Sequence, residues 1–248
     1  MTVKRLFDIL ASLAALVLLA PLFAVVAIGI RVSSKGPVFY RALRSGRDGA
    51  TFTMYKFRTM DSARSPFNPA ITAAQDPRIF PFGAMLRASK IDELPQLINV
   101  LKGEMSIVGP RPEDPGIVER HYRGFHLETL RVLPGLASPG SLYNYTHGER
   151  ILDRGDPERD YVERLLDTKL ALDTIYVREA SFRYDLLIIL RSLWTIAAAV
   201  VGKRRGSDPP EMRKALAVIG HDFPRKQEQT WREEAPSCNR ENDQSVTE

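Results

Sequence analysis

The stretch from Leu86 to Pro112, LRASKIDELPQLINVLKGEMSIVGPRP, decides how the rest of the chain is read. Asp92 and Glu93 are adjacent carboxylates, with Arg87 five residues before Asp92. Pro95 follows inside a segment that otherwise has helical spacing, and Gly103 ends it. A proline is tolerated in a helix only in its first turn, so a helix beginning at Asp92 or Glu93 and running to Leu101 carries both carboxylates at its N-terminus. Asp92 as an N-cap with Glu93 as a first-turn acid accounts for this pattern. So does an N-terminus facing a phosphate or metal, with Arg87 neutralising charge; spacing alone favours the cap. Gly109-Pro110-Arg111-Pro112 then holds an arginine between two prolines, which restrict its backbone and suit a fixed guanidinium for a fork-shaped phosphate contact.

Outward from this stretch, the chain has 248 residues, a formal charge of +5 and a pI near 9.4. That size holds one large domain with attachments, and the charge suits an anionic partner without choosing one. Cys238 is the only cysteine, which excludes an intrachain disulfide and points to a reducing compartment. The histidines at 121, 126, 147 and 221 lack metal-ligand spacing.

From Leu6 to Ile30 the only charged residue is Asp8. The apolar run is longer than the core of a signal peptide and long enough for a membrane helix. Lys4 and Arg5 flank it on one side; Arg31, Lys35, Arg41, Arg44 and Arg47 flank it on the other. The positive-inside rule draws both flanks to the cytoplasm, and Pro21 interrupts the run where it bends a helix. A re-entrant hairpin broken at Pro21 satisfies both facts, and a kinked single span remains open beside it. Beyond it, 37–40 and 51–58 read as strands around a turn at 45–49. On the second, Phe52, Met54, Lys56 and Arg58 share a face by the period of two, so Lys56 and Arg58 point together at an anion or form a solvated edge. Asp61 to Phe82 is proline-rich loop, within which Asp76-Pro77-Arg78 is placed to brace the central region.

The motifs Lys4-Arg5-Leu6-Phe7-Asp8, Gly36-Pro37-Val38-Phe39, Tyr55-Lys56-Phe57-Arg58-Thr59-Met60, Asp76-Pro77-Arg78-Ile79, Leu86-Arg87, Asp92-Glu93-Leu94-Pro95-Gln96 and Val108-Gly109-Pro110-Arg111-Pro112 occur in this order. In this the chain resembles the bacterial sugar transferases, monotopic phosphoglycosyl transferases that start glycan assembly on a polyprenyl phosphate carrier. The resemblance is dense from Val3 to Pro112 and thins to echoes around 170–177 and 185–193. It implies transfer of a sugar-1-phosphate from a nucleotide-diphosphate sugar, usually a UDP-sugar, to polyprenyl phosphate, with release of UMP. It also implies Mg2+ as cofactor, a re-entrant helix broken at Pro21, and a catalytic domain on the cytoplasmic face of the bacterial inner membrane in contact with its lipid. The family often has serine before this proline; here Ala20 stands there.

By the same resemblance Asp92 is the nucleophile, which attacks phosphorus and leaves an acyl-phosphate, so that one displacement becomes two. Glu93 assists, by orienting magnesium or handling a proton, and the resemblance does not choose. Magnesium held by Asp92 and Glu93 offsets the repulsion between an anionic nucleophile and an anionic phosphate. Arg87, Arg111, Lys56 and Arg58 grip phosphates.

After Pro112, residues 115–133 have helical spacing and 134–140 read as loop. Relatives commonly carry a PGITG-type turn and a glutamine here, whereas this chain has PGLASPGSLYNYTHGE, with Tyr143 and Tyr145 as packing or uracil-stacking aromatics. Residues 157–180 form a helix with its charges outside. Leu186 to Val201 is short for a span and reads as an interfacial helix with a basic end, Lys203-Arg204-Arg205, or as a core helix. The expected architecture is α/β: a re-entrant helix over 1–34, a catalytic domain over 35–205 with a small antiparallel sheet and interfacial amphipathic helices, and a disordered polar tail over 206–248, in which 212–219 make one or two helical turns. No Gly-rich nucleotide loop is present, the basic residues are too dispersed for a nucleic-acid binder, and a homo-oligomer is left open. A membrane-tethered protein that binds nucleotide-sugar or lipid phosphate without chemistry is the alternative, and its mark would be a broken carboxylate pair.

Overall fold

The computed structural model describes residues 2–61, 76–151, 157–200 and 208–222. Its first two helices, α1 (Val3–Leu18) and α2 (Ala20–Ser33), meet at an angle of 60°. The break falls at Leu19, ahead of Pro21, which occupies the first turn of α2. A proline ring collides with the carbonyl four residues earlier, so the turn before it opens while Pro21 itself starts the next helix without losing a hydrogen bond. No single helix among the described residues is long and apolar enough to cross a membrane; the bent pair together is.

The amphipathicity of α1 is inverted. Leu6, Leu10, Leu13 and Val17 are exposed, while Asp8 and Ser12 are buried against the rest of the protein. Asp8 accepts hydrogen bonds from Ser106 Oγ (2.8 Å) and the Ile107 amide (3.1 Å). Lys4 donates to Asp185 (2.7 Å) and to the Val108 carbonyl (3.1 Å). Arg5 donates to the carbonyls of Val100 (2.7 Å) and Leu101 (3.2 Å), the last turn of helix α4 (Gln96–Lys102). Free carbonyls at a helix C-terminus attract a guanidinium by both hydrogen bonding and dipole. The apolar helix is thereby bolted, through its polar residues, to the element that follows the carboxylate pair.

Strands β1 (Phe39–Ser45) and β2 (Thr51–Phe57) form an antiparallel hairpin in register from Phe39↔Phe57 to Ser45↔Thr51. Phe57 meets Val26 and Ile30 of α2 and Leu86 of α3 (Pro81–Ala88), so the second half of the bent pair packs on the domain. A second pair, β3 (Ser106–Val108) with β4 (Gly135–Ala137), is parallel, which the expected antiparallel sheet did not include. Gly109 and Gly135 bring these backbones so close that a Cβ on either would overlap the other's main chain. The protein is therefore mostly helical, with two small sheets, where an α/β domain was expected.

The remaining helices are α5 (Pro115–His121), α6 (Pro139–Ile151), α7 (Pro157–Asp160), α8 (Leu166–Glu179), α9 (Phe182–Val200) and α10 (Met212–Asp222). A 3-10 segment at Gly124–Arg131 follows α5, and α6 occupies what the sequence suggested was loop. A π-helical turn at Tyr161–Leu165 joins α7 to α8. Around α8 the main core gathers Ile117, Phe125, Leu165, Leu166, Leu170 and Ile175. Helix α9 buries Ile188 and leaves Leu190, Leu193 and Trp194 exposed, and its Phe182 ring meets Phe7 of α1 edge to face at 5.4 Å. Thus α1 and α9 carry exposed apolar side chains beside one another. The tail expected from 206 is not disordered throughout: Ala215, Val218 and Ile219 of α10 are buried in the main core. The expected basic end at 203–205 and the tail beyond 222, with Cys238, lie outside the described residues, as does most of the loop at 62–75.

The buried Asp8 carboxylate yields a direct test. Asp8→Ala leaves the Ser106 hydroxyl and Ile107 amide without their acceptor, and should cost about 2–3 kcal/mol. Thermal unfolding in detergent should show a clear fall in Tm, with Asp8→Asn falling less.

Candidate functional site

The site is built on the turn between α3 and α4. Helix α3 ends at Ala88, and the Ser89 hydroxyl donates to the Met85 carbonyl (2.8 Å). Lys90 then adopts a left-handed backbone (φ 58°), which reverses the chain into a 3-10 turn over Ile91–Glu93. Pro95 is the N-cap of α4, a place where its missing N–H has no consequence. The carboxylates therefore precede α4 instead of lying within it, and Asp92 caps nothing. Its side chain is only 7 % exposed, and Oδ1 has no hydrogen-bond partner among the described residues. That observation removes the simple capping account. An orphaned buried carboxylate oxygen is costly and calls for an explanation.

Glu93 has the opposite environment. Arg111 grips it with two parallel hydrogen bonds (2.9 and 2.6 Å), Lys56 donates to the same carboxylate (3.4 Å), and the Lys90 ammonium stands 3.7 Å away. Arg111 has the restricted geometry that its flanking prolines imply, and a forked guanidinium is matched to a carboxylate. Burial works to raise the Glu93 carboxyl, but Arg111, Lys56 and Lys90 prevail and hold it well below the ordinary range. Asp92 is pushed up, first by burial and then by the Glu93 charge, with Lys56, Lys90 and Arg87 opposing. Burial lowers the Lys56 ammonium to about 8, with Glu93 opposing and Arg111 reinforcing. Two adjacent carboxylates are thus driven apart, one toward a low pKa and one toward a high one. Four cationic side chains (Lys56, Arg87, Lys90, Arg111) act on these two acids, which leaves an excess of positive charge for an anionic ligand.

Not every predicted residue is here. Lys56 and Arg111 join Glu93, and Arg87 on the last turn of α3 is near enough to act on Asp92. Arg58 is elsewhere: it is buried, and its guanidinium donates to the Pro37 carbonyl (2.6 Å), Ser34 Oγ (2.7 Å) and the Ser34 carbonyl (2.7 Å). Strand β2 ends at Phe57, so the period of two no longer governs residue 58, and Arg58 ties the end of α2 to the hairpin. Asp76 and Arg78 pair with one another (2.7 Å), while Met60 and Ile79 form a β-bridge, so this motif closes the base of the loop leading to α3.

Three features were not legible beforehand. Tyr145 of α6 donates from its hydroxyl to the Ala88 carbonyl (2.9 Å), and Lys90 Nζ lies 4.7 Å from the centre of its ring. Tyr143 turns instead into the main core and stacks on His147. Behind Arg111, Glu113 accepts a hydrogen bond from Lys169 (2.7 Å), and the Tyr161 hydroxyl bonds to Glu113 as well. Lys169 and Asp173, expected on an outer face of α8, are buried. The signal was their spacing: Leu165, Lys169, Leu172 and Tyr176 form one helical stripe, all of it inside. Asp173 accepts from the Gly140 amide (2.8 Å), and Oδ2 is unpartnered among the described residues.

No cluster of three or more metal-ligating side chains occurs among the described residues. Both Glu93 oxygens are engaged by Arg111, whereas Asp92 Oδ1 is unengaged. One unengaged carboxylate oxygen beside cations is compatible with magnesium bound largely through its substrate, Asp92 being the residue that could hold it.

The sequence model described as "Bacterial sugar transferase" matches residues 1–199, and the chain belongs to that family. It is 37% identical over 196 residues to "Undecaprenyl-phosphate glucose phosphotransferase" of Komagataeibacter xylinus, covering 77% of this chain and 35% of that protein. It is 33% identical over 198 residues to "UDP-N-acetylgalactosamine-undecaprenyl-phosphate N-acetylgalactosaminephosphotransferase" of Aeromonas hydrophila, with coverage of 78% and 43%. It is also 37% identical over 205 residues to "Exopolysaccharide production protein ExoY" of Rhizobium meliloti (strain 1021), with coverage of 77% and 83%. The chain therefore spans well under half the length of the first two of these relatives.

Asp173 supplies a pH test. Burial raises its carboxyl to about 6, against the pull of Lys169. An unfolded chain gives up that proton near pH ~4, so between pH ~4 and ~6 the folded state binds more protons and stability falls as pH rises. Relative to Asp173→Asn, the wild type should lose on the order of 3 kcal/mol between pH ~4 and ~7. Denaturant unfolding across that range reads the difference; parallel curves would assign the proton elsewhere.

Proposed function

We propose that this protein transfers a sugar-1-phosphate from a UDP-hexose or UDP-N-acetylhexosamine to polyprenyl phosphate and releases UMP, as the first membrane step of glycan assembly. The observation that carries this reading is the contrast within one turn: Asp92 Oδ1 buried without a partner, beside a Glu93 saturated by cations. The sugars in the names of two relatives, glucose and N-acetylgalactosamine, support this substrate class.

In this reading an Asp92 oxygen attacks the phosphorus that bears the sugar. The bond from that phosphorus to the bridging diphosphate oxygen breaks, and UMP leaves with the bond's electrons. A phosphate oxygen of the carrier next attacks the phosphosugar held on Asp92, freeing the carboxylate and forming polyprenyl-diphosphate-sugar. A carboxylate aligned before substrate arrives needs no reorganisation. Arg111 and Lys56, held in place by Glu93, present fixed positive charge to the phosphates. Glu93, locked in its ion pairs, serves as the scaffold of that charge. Asp92 would be the residue to hold magnesium, which when bound would supply Lewis-acid neutralisation of the phosphate charge. The inverted α1, with polar residues inward and leucines outward, supports a re-entrant hairpin that sets this site at the height of lipid headgroups on the cytoplasmic face.

UMP release by the detergent-solubilised protein, over a panel of UDP-sugars with magnesium, tests the chemistry. Release should require polyprenyl phosphate for multiple turnovers and should fall by at least ~10³-fold in Asp92→Asn. Retention of near-wild-type turnover by that variant would end the covalent mechanism. Labelling of a tag at Met1 in sealed vesicles tests the hairpin: it should lie on the same side as the domain, and replacing Pro21 should move it across.

A further inference from the structure

We propose that Lys90 is a phosphate-binding residue of this site, donating to phosphate oxygens of a substrate, and that Tyr145 is the positioning residue that sets where its ammonium stands. The inference rests on the reading given under Proposed function and adds residues that neither the order of sequence motifs nor the carboxylate pair indicates.

Lys90 occupies a strained place for a side-chain-bearing residue, left-handed and two positions before Asp92. Its side chain is about one-third exposed. It stands 3.7 Å from Glu93 Oε1, beyond hydrogen-bond reach, and 4.7 Å from the centre of the Tyr145 ring. Among the described residues it therefore donates no hydrogen bond, although an ammonium has three donors. Glu93 Oε1 is already bonded by Arg111 at 2.6 Å and approached by Lys56 at 3.4 Å, so Lys90 is surplus to the neutralisation of that carboxylate. An accessible cation, located by an aromatic face and a carboxylate yet with its donors unspent, suits a doubly charged phosphate oxygen cluster.

Tyr145 is what fixes it. The Tyr145 hydroxyl donates to the Ala88 carbonyl at the end of α3, which pins the ring beside the turn. That tyrosine lies on α6. The contact therefore links α6 to the turn that carries Asp92 and Glu93. The phosphate it serves belongs either to the nucleotide-sugar diphosphate or to the lipid carrier, and kinetics separate the two.

The test is steady-state UMP release with UDP-glucose and undecaprenyl phosphate, each varied at saturating concentration of the other, with Tm measured for every variant. Lys90→Met should raise KM for one phosphate substrate about tenfold, the loss of one charge-assisted hydrogen bond. Which KM rises names the source of the phosphate, and Lys90→Arg should restore most of it. Tyr145→Leu should raise the same KM severalfold, and Tyr145→Phe, which keeps the ring but loses the hydroxyl that pins it, should fall between Tyr145→Leu and wild type. The double variant Lys90→Met/Tyr145→Leu should be no worse than Lys90→Met alone. Unchanged KM values for both substrates in Lys90→Met would overturn the proposal, as would full additivity in the double variant. If the wild type turns over no UDP-sugar, the parent reading fails instead. Affinities for UDP and for undecaprenyl phosphate by calorimetry then decide this one: tenfold weaker binding of either by Lys90→Met sustains it, and equal binding of both by the two proteins ends it.

Discussion

The forked ion pair between Arg111 and Glu93 is the interaction on which the site depends. It joins the turn ahead of α4 to the loop leaving β3, two segments eighteen residues apart in sequence. Each end is itself fixed. The glycine contact between β3 and β4 sets the backbone from which Pro110 starts, and the Lys169–Glu113 pair holds the chain just beyond Pro112. Glu93 is held by its partners, and Asp92, its neighbour, is left with an oxygen that no donor among the described residues satisfies. A charge network that saturates one acid and starves the next is a way of storing reactivity in a small volume.

A second set of polar contacts determines where that volume sits. Lys4, Arg5 and Asp8 lie in the opening turns of an otherwise apolar helix, and all three are bonded to α4, β3 or α9. Arg58 does the equivalent work for the second helix by bonding at Ser34 and Pro37. The bent pair is thus not tethered by a linker. It is rigidly indexed to the site through buried hydrogen bonds, which lose strength least in a water-poor setting.

What was legible in the sequence follows the range of the forces involved. Local steric rules located the helix stop at Gly103 and the constraint on Arg111, but started the helix at Asp92 or Glu93, whereas α4 begins after Pro95. Ordered motifs identified the family to which the chain belongs. Long-range pairings were not legible. Arg58 looked equivalent to Lys56 because a strand period was extended one residue past the strand's end. Lys169 and Asp173 looked solvated because charge was weighed more than position, although Lys169 lies in line with Leu165, Leu172 and Tyr176 and every residue from 169 to 176 is buried. The capping reading of Asp92 failed for a related reason: a cap needs amides at the right place, and the 3-10 turn before Pro95 moves them away.

Helix α10 lies beyond the residues shared with the family model, which ends at 199. Yet Ala215, Val218 and Ile219 fill the main core, and Asp222 accepts the Phe125 amide at 3.0 Å. The Glu211 carboxylate at its start also binds Tyr184 and Arg191 of α9. An element outside the common domain has become a keystone of it. A chimera grafted at the family boundary would therefore leave an open seam along α8 and release the outward-facing helix α9 from its clasp.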